Sequence, residues 1–598
     1  MMDRLLPLIV ALPLLGAAVL VAAGRHLPRP VAEVLGLAGA AVPAALAVGA
    51  LVPWHGSRVV WLGDWRPHHG AGVGIVLVGD RTGLGLAALT SLLVVAVLAY
   101  SWRYFDEPPY GHAGAFPALI LLFQAGMCGF QLTGDLFDAF VFFELMGVVG
   151  YALTGYRVEE PRPVQGALTF GFVNSLGGYA SLLGIGLLYA RTGELGMAQA
   201  GRQLDAAPRH DALLLAAFVL VMTGLLVKSA AVPLHFWLPD AHAVAPTPVC
   251  MLLSGVMVET GVYGVARIHT TVFGGPGGIP ADHVQRALLV LGVLTAAVGA
   301  AMCWQQRHIK RLLAFSTVAH VGLFLTGIAL LTPEGIAGTE LYVLGHAGTK
   351  AALFACTGIL LDRHGNVDEH ELHGRGRDTP GLGLLFTAGA LALAGLPPFG
   401  TALGKALVEE QRPWLPVLFV LVSAVTGGAA LRVAARVFLG AGESQREEPA
   451  DSGPETPGDE EHPETGHAIR LLPRPMVTVT TLLLTGALAV GVFRGLTDAV
   501  TAAAEAFTNH AGYAATVLDA APTPTPVPRA TEWWTPPGVA LGLLSTALAT
   551  TLAAWSTRHP GALHHLGTPL RRLQSGHVGD YVAWTMAGVG LLAVLTWW

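Results

Sequence analysis

The chain has 598 residues, of which 53% are hydrophobic and only 12% charged, with a mean hydropathy of +0.57 and a formal net charge of −6. Soluble domains carry roughly a quarter charged residues, so a deficit spread over most of the length excludes an ordinary globular protein and marks a polytopic membrane protein. The negative net charge argues against a nucleic-acid partner.

Apolar runs of about 20 residues, enough to cross roughly 30 Å of hydrocarbon, recur about sixteen times. They predict an all-α membrane bundle, since a barrel would need short alternating strands. The spans are expected near 5–23, 31–52, 80–101, 114–133, 135–156, 166–190, 211–232, 244–270, 285–303, 312–332, 340–361, 382–408, 414–439, 472–495, 537–555 and 580–597. The first could pass for a signal peptide, but its apolar run is long and a second span follows directly, so a retained helix is expected. Cys128, Cys250, Cys303 and Cys356 lie singly in apolar runs, which predicts small core residues and no zinc or iron–sulfur ligation. There is no GxGxxG after a strand and no P-loop, so no cofactor is expected on this chain.

With alternating spans, Arg25, Arg29, Arg103, Arg157, Arg162, Arg307, Lys310, Arg311, Arg363, Arg375, Arg377, Arg558, Arg571 and Arg572 fall on one side; Arg191, Arg202 and Arg209 are exceptions. The positive-inside rule then predicts cytoplasmic basic loops, both termini outside, and the cell membrane as location. GESQREEPADSGPETPGDEEHPETG, 442–466, is acidic and Pro-rich, which predicts a disordered, solvated cytoplasmic linker, with a docking role as the alternative. APTPTPVP, 521–528, reads as an extended spacer.

An ionisable side chain at bilayer depth costs roughly 2.5–3.5 kcal/mol even on lenient scales. Glu144, Lys228, Glu259, His320, His346, Lys350 and Lys405 all fall inside expected spans. Salt bridges or snorkelling are the bland explanations. Snorkelling suits Lys310 and Arg311 at a helix end, but the Lys350 stem is too short to leave its apolar surroundings. A series over six helices fits a proton relay, with His346 and Lys350 sharing one helix face. Asp135 and Asp138 lie at a helix start, where N-capping is an adequate role.

Two charge-bearing spans are interrupted: Lys228 precedes Pro233, and Lys405 follows Pro397, Pro398 and Gly400. Proline inside a span frees backbone carbonyls, and paired broken helices point to repeated transporter units. The organisation expected is N-terminal helices over 1–112, five-helix units over 113–270 and 285–440, a linker over 441–471, and C-terminal helices over 472–598.

GDLFDAFVFFELM, VKSAAVPLHFWLPDAHAVAPTPV, SGVMVETGVYG, IKRLLAFSTVAHVG, HAGTKAALF and LAGLPPFGTALGK, together covering 135–405, resemble the antiporter-like subunits shared by Mrp-type cation/proton antiporters, respiratory complex I and membrane-bound hydrogenases. RRLQSGHVGDYVAW, 571–584, looks like the last helix of longer members. The resemblance implies roughly fourteen core helices with two inverted five-helix repeats and about two more at the C-terminal end. It implies proton translocation along a central axis, coupled to a second cation such as sodium or to redox work in soluble partners, within a complex of other membrane subunits. Glu144 and Lys228 match the family's acid–lysine pair, His320 and Lys350 its central relay, and Lys405 its exit residue. Glu259 departs from the lysine usual there; pairing with Lys350, cation binding and impaired conduction are all open. An oxidoreductase activity would belong to the assembly, as in an NADH-quinone oxidoreductase, and not to this chain. Energy coupling for inorganic-carbon uptake, a non-conducting scaffold and a solute carrier are the rival roles.

Overall fold

Apolar runs of this length satisfy their backbone polar groups internally only as helices, and that is what they form. The computed structural model describes residues 5–52, 56–67, 72, 74–102, 114–442, 461–465, 468–518, 533–559 and 568–597. Residues 443–460 of the acidic stretch and the expected spacer 521–528 lie outside the described residues.

Fourteen helices among the described residues are long and apolar enough to span a membrane. They are α1 (Leu8–His26), α2 (Arg29–Leu51), α3 (Arg81–Tyr100), α4 (Ala115–Leu132), α5 (Leu136–Thr154) and α6 (Pro161–Thr192). Beyond a broken seventh follow α8 (Thr247–Phe273), α9 (Ala281–Gln305), α10 (Ile309–Ile328) and α11 (Pro333–His364). Beyond a broken twelfth come α13 (Leu415–Leu439), α14 (Arg474–Val492), α15 (Pro536–Arg558) and α16 (Val578–Thr596). The broken pair at the seventh position is α7a (Ala212–Lys228) with α7b (Trp237–Val244), and at the twelfth α12a (Pro380–Ala394) with α12b (Gly400–Glu409). The breaks fall at the two proline sites anticipated from the sequence. A short antiparallel ribbon, β1 (Arg58–Trp61) with β2 (Val76–Gly79), lies between α2 and α3; the hydropathy pattern had concealed it.

The most apolar stretches of α8 and α10 are wholly buried, whereas those of α1, α2, α15 and α16 are buried over a third of their length or less, so the charge-bearing helices form the centre. α9 and α10 lie so close that a Cβ on Gly322 would sit 2.2 Å from the Ala296 nitrogen. Small residues are what permit such backbone approach in a membrane bundle. α8 and α13 carry π turns at Leu253–Met257 and Ala435–Leu439. Asp80, Asp211 and Thr332 each accept a backbone N–H at a helix start, and the Asp135 side chain caps α5 in the way its position suggests.

The C-terminal helices embrace both halves. α15 packs on α13 and α12b, while α16 returns to α7a, α6 and α9. Within the 571–584 motif, Tyr581 stacks on Phe236 with ring centroids 4.9 Å apart and donates to Asp240 Oδ2 at 2.9 Å. Gln574 Nε2 donates to Asp240 Oδ1, also at 2.9 Å. The last helix thus clasps the segment joining α7a to α7b.

Two sequence expectations need correction. Residues 461–465 of the acidic stretch do not behave as solvated linker: Glu464 is 2% exposed, and it and Glu461 contact Lys310 Nζ at 3.1 and 3.3 Å. Lys310 and Arg311 therefore do not snorkel; both are buried, Lys310 under those carboxylates and Arg311 with Asp240 at 3.8 Å. Charge pairing with a distant segment replaced water, which local hydropathy cannot register.

The α9–α10 contact yields a test of the packing. Gly322→Leu should abolish stable assembly or lower the thermal midpoint sharply, since overpacking against backbone costs about 1–3 kcal/mol or more. Gly486→Ala in α14, where a Cβ meets nothing within 4 Å, should leave the midpoint unchanged. Thermal unfolding followed by size-exclusion of the detergent-extracted protein checks both.

Candidate proton-relay site

α7a ends at Lys228, so the lysine sits at a helix C-terminus inside the bundle, where the helix dipole favours a cation. The backbone freed by the break is repaired locally. Ala231 N donates to Leu226 O, Trp237 Nε1 to Val227 O at 2.9 Å, and Val232 N to Thr295 Oγ1 at 3.0 Å. The ammonium is not repaired: Lys228 is fully buried and its Nζ has no hydrogen-bond partner. It lies 4.1 Å from the Phe143 ring centroid, a cation–π contact, and close against Gly147 of α5. Glu144, on the same turn as Phe143, supplies the nearest opposing field but forms no contact ion pair. Its carboxylate lies over Gly178 of α6, where a Cβ would fall 1.9 Å from Oε1.

The second break repeats the arrangement with a different donor helix. Lys405, on α12b, is 2% exposed and points back at Gly395, the residue ending α12a; a Cβ there would lie 2.6 Å from Nζ. Gly395 has φ +94°, so both the turn and the ammonium require its missing side chain. Lys405 Nζ also has no hydrogen-bond partner. Its acidic neighbour is Glu409, four residues on and 3% exposed, with Oε1 unpartnered. Glu409 was missed in the sequence, although its i,i+4 spacing from Lys405 was the available signal.

Between these pairs lies a bonded central group. His320 of α10 bonds Tyr342 Oη through Nδ1 at 2.6 Å and Thr426 Oγ1 through Nε2 at 3.1 Å. Its ring lies 5.1 Å, centroid to centroid, from that of His346 on α11. His346 Nδ1 and Glu259 Oε1 are 2.9 Å apart, both side chains fully buried, while His346 Nε2 and Glu259 Oε2 remain unpartnered. Glu259 thus pairs with His346 and not with Lys350. Lys350 instead donates to Leu313 O and Ser316 Oγ of α10. His242 of α7b joins the group's edge, with Nε2 and Ser254 Oγ at 2.7 Å and Thr317 Oγ1 donating to Ser254 Oγ at 3.0 Å.

All seven residues singled out from the sequence lie within the bundle, but only Glu259, His320 and His346 form one directly contacting cluster, and Lys350 of α11 is held beside it by acceptors on α10. Glu144–Lys228 and Lys405–Glu409 stand at its two ends. The unpartnered nitrogens and oxygens along this series have the chemistry that buried water satisfies. A further polar group, not foreseen, ties α8 to α3: Arg267 Nη2 meets Asp80 Oδ2 at 2.5 Å and Nε donates to Tyr263 Oη at 2.9 Å. The four cysteines are buried and unpaired, and no group of His, Cys, Asp and Glu among the described residues could hold a metal ion.

Residues 133–428 match the family model described as NADH:quinone oxidoreductase/Mrp antiporter, TM. An NADH-quinone oxidoreductase subunit of Desulforudis audaxviator is 34% identical over 65% of this chain and 77% of its own length. A probable K(+)/H(+) antiporter subunit of Rhizobium meliloti is 33% identical over 68% of this chain and 78% of its own. In structure, a chain of the Mrp complex from Dietzia sp. DQ12-45-1b superposes with TM-score 0.73 and 27% identity, covering 86% of this chain and 99% of that one. A chain of an archaeal membrane-bound sulfane sulfur reductase shares the fold with TM-score 0.74 at 23% identity, over 86% of this chain and all of that one. The chain belongs to the antiporter-like membrane-subunit family of NADH:quinone oxidoreductases and Mrp antiporters.

Proposed function

We propose that this chain is the proton-translocating subunit of a multisubunit membrane complex, with protons passing between the Glu144–Lys228 and Lys405–Glu409 pairs through the Glu259, His320, His346 and Lys350 group. The observation that carries this reading is the pair of fully buried, unpartnered ammonium groups, one at each helix break. Burial disfavours a charged amine and a nearby carboxylate favours it, so a small change in the distance to Glu144 or Glu409 switches each lysine between holding and releasing a proton. A structural salt bridge would instead show a contact ion pair, and neither lysine has one.

Relatives and structural neighbours named for antiporters and for respiratory assemblies support membrane partners, with a second cation such as sodium or redox work in soluble subunits as the coupled process. The distribution of Arg and Lys supports cytoplasmic basic loops and external termini in the cell membrane. Glu259 stands where the resemblance implies a lysine, and here it is bonded to His346. Their hydrogen bond can hold one proton on either partner, and the His346 ring, with its Nε2 unpartnered, lies 5.1 Å from that of His320, centroid to centroid.

Lys228→Met should lower proton flux at least tenfold in proteoliposomes holding the purified complex, with subunit content unchanged; full activity would make this chain a scaffold. Glu259→Gln should also cut flux at least tenfold, because the amide cannot carry the proton, whereas Glu259→Asp should retain a measurable fraction. Equal, undiminished rates for both Glu259 variants would remove the pair from the path.

A further inference from the structure

The acidic linker ends in two carboxylates that the relay described above does not use. Residues 461–465 cross the basic-loop face from one half of the bundle to the other. Arg157 Nη2, beyond α5, donates to Pro463 O at 3.1 Å, and Glu464 N donates to Asp362 Oδ1 at the end of α11 at 2.6 Å. Glu464 accepts from Thr247 N at 2.8 and 3.0 Å and from Thr247 Oγ1 at 2.9 Å, which places its charge at the N-terminus of α8. Both carboxylates converge on Lys310 Nζ, and Glu461 Oε1 also meets His308 Nε2 at 3.0 Å.

Beneath them a polar column descends to the centre. Lys310 Nζ donates to Ala245 O at 3.3 Å, three residues beyond His242. His242 leads through Ser254 and Thr317 to the neighbouring Ser316, which accepts from Lys350. His242 is fully buried and its Nδ1 has no partner. The other titratable or charged groups facing the carboxylates are His308, Asp362, Tyr100, Cys250 and, through backbone contacts alone, Arg157.

We propose that Glu461 and Glu464 set the electrostatics of the inner mouth of the proton path: two carboxylates outnumber the Lys310 ammonium at the head of the column to Lys350 and draw protons into it. This rests on the proton-translocating reading. Without the carboxylates the mouth would present an uncompensated ammonium, repelling the ion the column is to receive. Burial alone would push the Glu461 carboxyl up, but Lys310 and His308 hold it down to about 2, so it stays ionised at working pH. The Glu461 side chain keeps 11% exposure, so the mouth meets water there, while that of Glu464 keeps 3%. A brace needs one carboxylate per ammonium, and a buried ion pair is weak evidence for stability. A focused negative field at a cleft mouth raises the local concentration and arrival rate of cations.

The test uses the assembled complex in proteoliposomes and the initial rate of proton uptake from the basic-loop side, read by a pH dye between about 20 and 300 mM salt, a range over which exposed charges become screened. Wild type should slow as salt rises. Glu461→Gln with Glu464→Gln keeps the shape of the segment and should lower the low-salt rate about tenfold and flatten its salt dependence. An unchanged rate overturns the proposal, as does a lower rate with the wild-type salt dependence, which would make the segment a brace. If the double variant does not assemble, the wild type decides: a rate falling with salt supports the field, and a flat one overturns it. A wild type that moves no protons at any salt would defeat the functional reading instead.

Discussion

An ammonium group buried in a membrane bundle without a hydrogen-bond partner is the constraint around which this structure is arranged. Lys228 and Lys405 are each brought to that state by a broken helix, and each break imposes the same requirements. Carbonyls released by the turn must find donors, the helix end must face a cation, and an acid must stand near without closing into a salt bridge. Ala231 N and Trp237 Nε1 meet the first need around Lys228, and Thr295 Oγ1 accepts the freed Val232 N–H. Gly147, Gly178 and Gly395 give the charged ends room that any side chain would take away. The outer helices, including α16 with its clasp on Asp240, then hold the broken segments in place.

The centre obeys a different logic. There the polar groups are bonded to one another, so charge can be redistributed over short distances instead of being held at one site. His320 is fixed at both nitrogens, Lys350 is held by α10, and Glu259 and His346 form an acid–imidazole unit. Lys350 is the one lysine of this group, and Glu259 its one carboxylate.

Much of this architecture was legible because hydropathy and proline are local signals. The span positions, the two breaks and all seven ionisable residues could be read from short windows of sequence, as could the capping role of Asp135. What escaped depended on distant segments. Glu461 and Glu464 look solvated by composition, and Lys310 looks like a snorkelling end residue; only folding brings them together across more than a hundred residues. The clasp of Tyr581 and Gln574 on Asp240 joins positions over three hundred residues apart. Pairing of Glu259 with His346 and not Lys350 was undecidable from helical spacing alone, because it depends on how α8 and α11 are rotated against each other. Glu409 is a different kind of miss, overlooked beside Lys405 despite a spacing that announced it.

The central claim is that the orphaned ammonium groups at the breaks are wet members of a proton path and not charges sealed in a dry core. The most direct test is a cryo-electron microscopy map of the assembled complex, sharp enough to show ordered water. The account predicts water within hydrogen-bond reach of Lys228 Nζ, Lys405 Nζ and His346 Nε2. Dry, apolar packing around both lysines would contradict it.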